Sequence, residues 1–339
     1  MMNTMCKVWV TIFWCVTLHA AEPQPVSQTQ MRRQAIRAML LPFLHNDVIP
    51  IVLGYAAKSW LECVRDGDFH WLTQPADAEK DQKKRAAAEQ AWLQQLGYDY
   101  EDAEAIRSRI PALKSASVYW PLRRHGKIEG FVDADGRVYP PNVTQPILTI
   151  PSIFSASSGL ERVRICNAVL SDCGKRMLVR DGYSHKEKPS VCSRIDGYRI
   201  DWDKQTLTKD GFSYTESGRR LIAVADKREA IFHQSFLVTA GTQELIKRDI
   251  YPFMASFMGN NLLVCWYATK LDFYDTSRSV PAGYNRCIKT LDIPYPDPDQ
   301  GNENYVDDLS ASYETGRIVL RMKNFENDEV TTKVLQLGE

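Results

Sequence analysis

The stretch LSDCGKRMLV, residues 170–179, recurs in altered form three more times along the chain. Each copy passes from small polar residues through a glycine and a polar residue into a run of aliphatic residues. Hairpin turns often need a positive φ, which glycine adopts without strain, so each marker glycine predicts a tight turn. The other copies are YTESGRRLIAV (214–224), ASFMGNNLLV (255–264) and SASYETGRIVL (310–320), and a weaker copy is FVDADGRVYPP (131–141) around Gly136.

The marker glycines give the period of the repeat. Gly174, Gly218, Gly259 and Gly316 lie 44, 41 and 57 residues apart. The residues between successive marker glycines contain short runs of branched and aromatic residues, without helical patterns between the runs. Periods of about 40 to 45 residues with four strands per unit are typical of a β-propeller, in which each blade is one antiparallel sheet. We therefore predict a propeller of about five blades over residues 116–339, with an irregular β-sandwich as the alternative.

Two strand ends carry a second motif. RIDWDKQT (199–206) and KLDFYDTS (270–277) each end a predicted strand on an aromatic residue that is followed by Asp and soon after by Thr. This motif resembles the terminal Trp-Asp of WD repeats. No Gly-His dipeptide opens the copies, and Trp202–Asp203 is the one literal Trp-Asp pair, with Tyr274–Asp275 as its substitute. The resemblance implies a degenerate WD-like propeller whose loops on one face recognise a partner.

The chain before residue 115 has a different character. Strong helix formers in ADAEKDQKKRAAAEQAWLQQLG end on Gly97, a suitable C-cap, and a further helix is predicted from Asp102 to Arg109. The predicted fold class is α+β with more than one domain. A small all-α segment, 22–115, precedes an all-β propeller-like repeat domain, 116–339.

Within the helical segment, residues 40–64 read LLPFLHNDVIPIVLGYAAKSWLECV. A Leu-Pro pair followed by apolar residues at helical spacing resembles the F-box, a short helical hook that docks on an adaptor of a ubiquitin ligase. The alternative is an ordinary helix-bundle core, because any amphipathic helix that packs on a neighbour has this spacing. The residues that the resemblance assigns to the partner-binding face are Leu41, Pro42, Val48, Ile49, Val52 and Leu53.

The first 21 residues have the layout of a secretory signal peptide. Lys7 is their only Lys, Arg, Asp or Glu, and it precedes an apolar run from Val8 to Leu18 that is shorter than the ~20 residues of a membrane-spanning helix. We therefore expect an exported protein, periplasmic or secreted, with no membrane insertion after cleavage. A retained N-terminal anchor is the alternative.

Export would allow disulfide bonds. After the leader the chain keeps six cysteines, an even number that permits a bridge or two without choosing among the connectivities. Alternatively, Cys166 and Cys265 are small buried strand residues.

The charge balance argues against nucleic acid as a partner. The 42 Lys and Arg residues equal the 42 Asp and Glu residues, whereas binding to phosphates needs concentrated basic charge. Binding to a membrane surface through a polybasic patch is disfavoured for the same reason.

No catalytic or cofactor motif is visible, so we predict no catalytic, metal-binding or cofactor-binding residue. The histidines after the leader are not spaced as paired metal ligands. The acidic stretch 297–308 keeps a weak possibility of calcium, although it departs from the EF-hand pattern. Asp133 and Asp135 in DADG suit a hairpin turn.

The sequence thus favours a protein-protein interaction or scaffold module over an enzyme. The alternative is a periplasmic or secreted propeller hydrolase with carboxylates at the central tunnel. Its candidate residues are Asp172, Glu216 and Asp308.

Overall fold

The computed structural model describes only part of the chain, and for some strand residues only the backbone. Residues 59–337 form one compact unit, while residues 1–58 and 338–339 form another. The predicted leader and the F-box-like residues 41–53 lie outside the described residues. These are residues 38, 59–74, 82–114, 118–150, 160–185, 188–216, 221–226, 229–232, 236–239, 242–245, 254–267, 269–277, 287–294, 304–324 and 330–338.

Four helices are described before residue 115: α1 (Trp60–Asp66), α2 (Gln82–Gln95), α3 (Ala103–Arg107) and α4 (Pro111–Lys114). Helix α1 begins at a capping box between Ser59 and Glu62 and ends at Gly67, whose φ of 76° is left-handed. Helices α2 and α3 lie where the sequence predicts helices, and Asp102 caps α3. Within the described ranges, no helix is both long and apolar enough to cross a membrane.

One strand interrupts the stretch that is predicted to be all helical. Strand β1 (Phe69–Leu72) pairs antiparallel with the last strand of the chain, so that Trp71 lies opposite Leu335. Its pairing partner is distant in sequence, and four residues are too few for a periodic signal. The helices and the repeat region therefore share one compact unit, and the division near residue 115 stays a prediction.

The remaining strands follow in sequence order. They are β2 (Tyr119–Arg124), β3 (Lys127–Asp133), β4 (Arg137–Tyr139), β5 (Leu148–Thr149), β6 (Leu160–Leu170), β7 (Arg176–His185), β8 (Lys188–Asp201), β9 (Thr206–Glu216), β10 (Leu221–Val224), β11 (Glu229–Phe232), β12 (Phe236–Thr239), β13 (Thr242–Leu245), β14 (Met254–Met258), β15 (Leu262–Tyr267), β16 (Lys270–Asp275), β17 (Cys287–Asp292), β18 (Asn304–Ser312), β19 (Arg317–Asn324) and β20 (Val330–Leu337).

Among the described residues these strands form five four-stranded antiparallel sheets. The first four sheets take strands β2–β5, β6–β9, β10–β13 and β14–β17 in order, and the fifth has the order β1-β20-β19-β18. The first strands of successive sheets are neighbours, from β2 beside β6 to β14 beside β18. This serial arrangement confirms the predicted propeller-like β architecture, in contrast to the two facing sheets of a sandwich.

Three marker glycines lie at the same position in their sheets, as the repeat predicts. Gly174, Gly259 and Gly316 lie between the first and second strands of their sheets, with φ of 71°, 64° and 70°. Gly136 instead lies between the second and third strands of the first sheet, so the weaker copy is out of phase. The physical reason is that any tight hairpin can use this pattern. Gly218 precedes β10 and lies outside the described residues.

Apolar clusters fill the spaces between neighbouring sheets. The largest joins the fourth and fifth sheets, and it contains Trp60 and Cys63 of α1 together with Trp266 of β15. Cys265 is fully buried in β15, as the sequence suggests, whereas Cys166 is half-buried in β6. Helix α1 is therefore part of the core beside these two sheets.

Candidate functional site

In the fifth sheet we count β18, β19, β20 and β1 as the first to fourth strands. The turns between the first and second strands of the five sheets meet on one surface, which we call the first-turn face. Its described residues are 125–126, 171–175, 225–226, 259–261 and 313–316. Because adjacent strands run antiparallel, the ends of the third strands lie at the same end of the sheets. Side chains from both sets of segments build the face.

Asp172, in the turn of the second sheet, binds the turns of three other sheets. Its Oδ1 lies 2.6 Å from Nε2 of His125, and its Oδ2 accepts the main-chain N–H groups of Tyr313 at 2.9 Å and Gly259 at 3.3 Å. The side chain is only 6% exposed. Hydrogen bonds to a buried carboxylate are strong, so this residue fixes the relative positions of four turns.

The third sheet is joined to the same turn of the second sheet. The main-chain N–H of Cys173 donates to Oδ1 of Asp226 at 3.1 Å, and Nη1 of Arg176 donates to the carbonyl of Ala225 at 2.8 Å. The guanidinium of Arg176 also lies 2.5 Å from Oδ2 of Asp210, with both side chains almost fully buried. All five first turns are thus connected.

Tyr313 stands out on this face because its ring is exposed while its backbone is held on both sides. Its residue exposure is 49%, and Val143 is the other exposed large hydrophobic residue among the described side chains. The Tyr313 N–H bonds to Asp172, and its carbonyl accepts the indole N–H of Trp60 at 2.7 Å. The ring lies over Gly259, where a Cβ would come within 2.9 Å of it.

The two WD-like motifs form hydrogen bonds with the first-turn face. Each lies at the end of a third strand, Trp202 after β8 and Tyr274–Asp275 at the end of β16. The indole N–H of Trp202 donates to the carbonyl of Gly174 at 3.0 Å. In the fourth sheet, the Thr276 hydroxyl donates to the carbonyl of Asn260 at 2.8 Å. In both sheets the third-strand end is therefore bonded to the first turn.

Cys173 is described with a free thiol at the surface of this face. Partial burial, together with a hydrogen bond to Asp226, raises the pKa of the thiol. A raised pKa lowers the fraction of reactive thiolate. This environment does not favour Cys173 as a nucleophile.

Of the three carboxylates proposed for a hydrolase, the two whose side chains the structure describes do not share one open site. Both oxygens of Asp172 are occupied by the contacts described above. Asp308 is buried at a different position, where its Oδ2 accepts the hydroxyl of Tyr98 at 2.6 Å. Burial raises the pKa of the Asp308 carboxyl and of the Tyr98 hydroxyl. The side chain of Glu216 lies outside the described set.

Around Asp308 the first and fifth sheets come together at the segment Tyr98–Glu101. The guanidinium of Arg321 lies 3.6 Å from the centre of the Tyr100 ring, and that of Arg123 lies 4.4 Å from it. Nε of Arg321 also donates to Oδ2 of Asp307 at 2.6 Å. This cluster links the two ends of the row of sheets.

Metal ligands do not gather in the described part of the chain, where no group of three or more His, Cys, Asp or Glu side chains could hold an ion. Of the acidic stretch 297–308, Asp308 is engaged by Tyr98, whereas Asp297, Asp299 and Glu303 lie outside the described residues. Calcium binding there stays a prediction.

The sequence located three of the five turns of this face but not its central contacts. It named Asp172 only as a hydrolase carboxylate, and it gave no role to His125 or Tyr313. The turn containing His125 and Gly126, with φ of 48° and 81°, is the first turn of the first sheet. Its His-Gly dipeptide is the one signal that could have placed it.

Comparisons with known proteins do not assign the chain to a family. No family model matches the chain, and no curated protein matches it. Among solved structures, similarity extends to prolyl oligopeptidase B from Galerina marginata, with 12% identity, a TM-score of 0.33, and coverage of 64% of this chain and 34% of that one. A calcium-binding protein, regucalcin, from Agrobacterium tumefaciens has 13% identity, a TM-score of 0.34, and coverage of 62% and 73%.

The β-propeller domain of Cps50 (Swd1) from Myceliophteria thermophila has 10% identity, a TM-score of 0.20, and coverage of 60% of this chain and 50% of that one. The chain thus spans half or less of the length of two of these three proteins. TM-scores this low carry no argument about function. The propeller-like description rests on the sheet topology.

Proposed function

We propose that this chain is an exported protein-protein interaction module that binds a protein partner through the first-turn face. The observation that carries the proposal is the presentation of Tyr313, an exposed aromatic ring on a backbone held by Asp172 and Trp60. Loops fixed on a rigid scaffold are common binding sites, and tyrosine is enriched among the residues that dominate protein interfaces. A fixed backbone also lowers the entropy lost on binding.

The hydrolase alternative has weaker support on this face. A catalytic carboxylate needs access to substrate, but Asp172 is nearly buried and already accepts main-chain N–H groups. The raised pKa of Cys173 also disfavours a nucleophilic role. We therefore prefer binding to catalysis.

Export is part of the proposal and rests on the leader-like residues 1–21. Mass spectrometry of the mature protein tests it directly. We expect a new N-terminus near Ala20 or Ala21, and an intact Met1 would reject cleavage.

Docking of the F-box-like stretch on an adaptor is a separate proposal. Trp60, Cys63 and Val64 at the end of this stretch are buried in the core, so deleting residues 40–64 would also damage the folded unit. Substituting Leu41 and Leu53 with Ser is the cleaner test. Unchanged capture of the adaptor would reject the role.

Affinity capture with the mature protein tests the main proposal. We expect Tyr313→Ser to abolish retention of a partner from an extracellular or periplasmic extract of the source cells. Val143→Ser is the matched control because Val143 is also exposed but lies in the loop between β4 and β5. Equal retention by both variants would reject the proposed face.

A further inference from the structure

Helix α1 packs against the first-turn face through the buried side chain of Trp60. The indole of Trp60 donates to the carbonyl of Tyr313 at 2.7 Å, and Trp60 itself is only 2% exposed. Its six-membered ring also lies against Gly316, where a Cβ would come within 2.5 Å of the ring. The indole therefore contacts this turn at both ends.

The same helix is linked to the first turn of the fourth sheet through the end of strand β16. Nη2 of Arg65 lies 2.5 Å from Oδ2 of Asp275. The next residue, Thr276, donates its hydroxyl to the carbonyl of Asn260 and its main-chain N–H to the carbonyl of Asn261, at 2.8 Å and 2.9 Å. Helix α1 is thus connected to both turns that meet at the exposed tyrosine ring.

The start of α1 is fixed by a capping box between Ser59 and Glu62. The Ser59 hydroxyl accepts the N–H of Glu62 at 3.3 Å, while Oε2 of Glu62 accepts the N–H of Ser59 at 2.7 Å. This reciprocal cap holds the first turn of the helix, which contains Trp60.

We infer that α1 is coupled to the first-turn face, with Trp60 as a positioning residue for Tyr313. The capped start of α1 holds Trp60 in place, and Trp60 in turn holds the main chain of Tyr313. The inference rests on the proposed function, because the coupling then governs how the binding tyrosine is presented. It assigns to α1 a role beyond core packing.

Amide hydrogen exchange on the full chain tests this coupling without a partner, so its failure is distinguishable from failure of the binding proposal. Trp60→Phe keeps an aromatic ring and removes the indole donor. We expect exchange at residues 313–316 to rise by about threefold to tenfold, as for the loss of one hydrogen bond. Trp266→Phe is the matched control in the same apolar cluster, and we expect it to leave these amides unchanged.

A second variant, Ser59→Ala, weakens the helix cap and alters no group that contacts the 313–316 turn. We expect it to raise exchange at the same amides, by less than Trp60→Phe does. Unchanged exchange in Ser59→Ala would overturn the coupling of the α1 cap to the 313–316 turn. Unchanged exchange in Trp60→Phe, or an equal rise in Trp266→Phe, would overturn the positioning role.

Discussion

The carboxylate of Asp172 accepts the main-chain N–H of Tyr313 at 2.9 Å, although 141 residues separate the two in sequence. This bond connects the second sheet to the fifth. The same carboxylate also contacts His125 and Gly259, in the first and fourth sheets. One buried side chain therefore determines much of the geometry of the first-turn face.

Removing the Asp172 carboxylate should destabilise the protein. We expect Asp172→Ala to lower the free energy of unfolding by about 2–4 kcal/mol, because several charge-assisted hydrogen bonds are lost together. Urea denaturation measures the change. Asp135→Ala is the control, since the Asp135 side chain is 69% exposed, and it should leave stability nearly unchanged. Equal effects of the two substitutions would contradict the central role of Asp172.

The buried ion pair between Arg176 and Asp210 should be costly to break. Asp210→Ala leaves a buried guanidinium without its carboxylate, so we expect a loss of about 3–5 kcal/mol in urea denaturation. The exposed pair between Lys204 and Asp201 lies on the same sheet. Asp201→Ala should leave the midpoint close to that of the wild type, and a comparable loss there would show that burial is not the cause.

Stability should decline with rising pH because of Asp308. Burial raises the pKa of its carboxyl above the ordinary value of 3.8, so the folded chain holds the proton more tightly than the unfolded chain. The stability that this group contributes is therefore present at low pH and is lost as the pH rises from that value through the raised pKa.

Asp308→Asn removes this titration and keeps an acceptor for the Tyr98 hydroxyl. We expect the free energy of unfolding of the wild type to fall relative to that of the variant as the pH rises above about 4 in urea denaturation. Parallel curves for the two proteins would show that Asp308 does not control this pH dependence.

Alanine substitutions at two glycines distinguish the cost of backbone strain from the cost of a steric clash. Gly67 and Gly316 have similar φ, 76° and 70°, but a Cβ at Gly67 would lie 3.8 Å from Lys289, whereas one at Gly316 would collide with the Trp60 ring. We expect Gly67→Ala to cost about 1–2 kcal/mol. Gly316→Ala should cost about 1–3 kcal/mol more, and equal midpoints in thermal denaturation would refute the close approach of Trp60.

Local patterns predicted the turns and strands of this chain better than its long-range contacts. The marker glycines found three of the first turns because a positive φ has a clear sequence signature. Strand β1 was missed, since its pairing with β20 depends on residues at the far end of the chain. The contacts of Asp172 were missed for the same reason, because only the folded arrangement brings its partners together.

The misplaced turn at Gly136 has a physical cause as well. The Asp133 carboxylate accepts the N–H groups of Asp135 and Arg137, which confirms the predicted hairpin turn. That turn lies between the second and third strands, yet its Asp-Gly pattern matches that of a first turn. The residue types predicted a turn there, but they did not show which two strands of the sheet the turn connects.

The proposed function places Tyr313 at the site where a protein partner binds. Photo-crosslinking measures this most directly, with benzoylphenylalanine replacing Tyr313 in one variant and Val143 in a second. We expect a protein adduct from the probe at position 313 and none from the probe at position 143. An adduct only from position 143, or none from either position with the source cells present, would rule out a binding site at Tyr313.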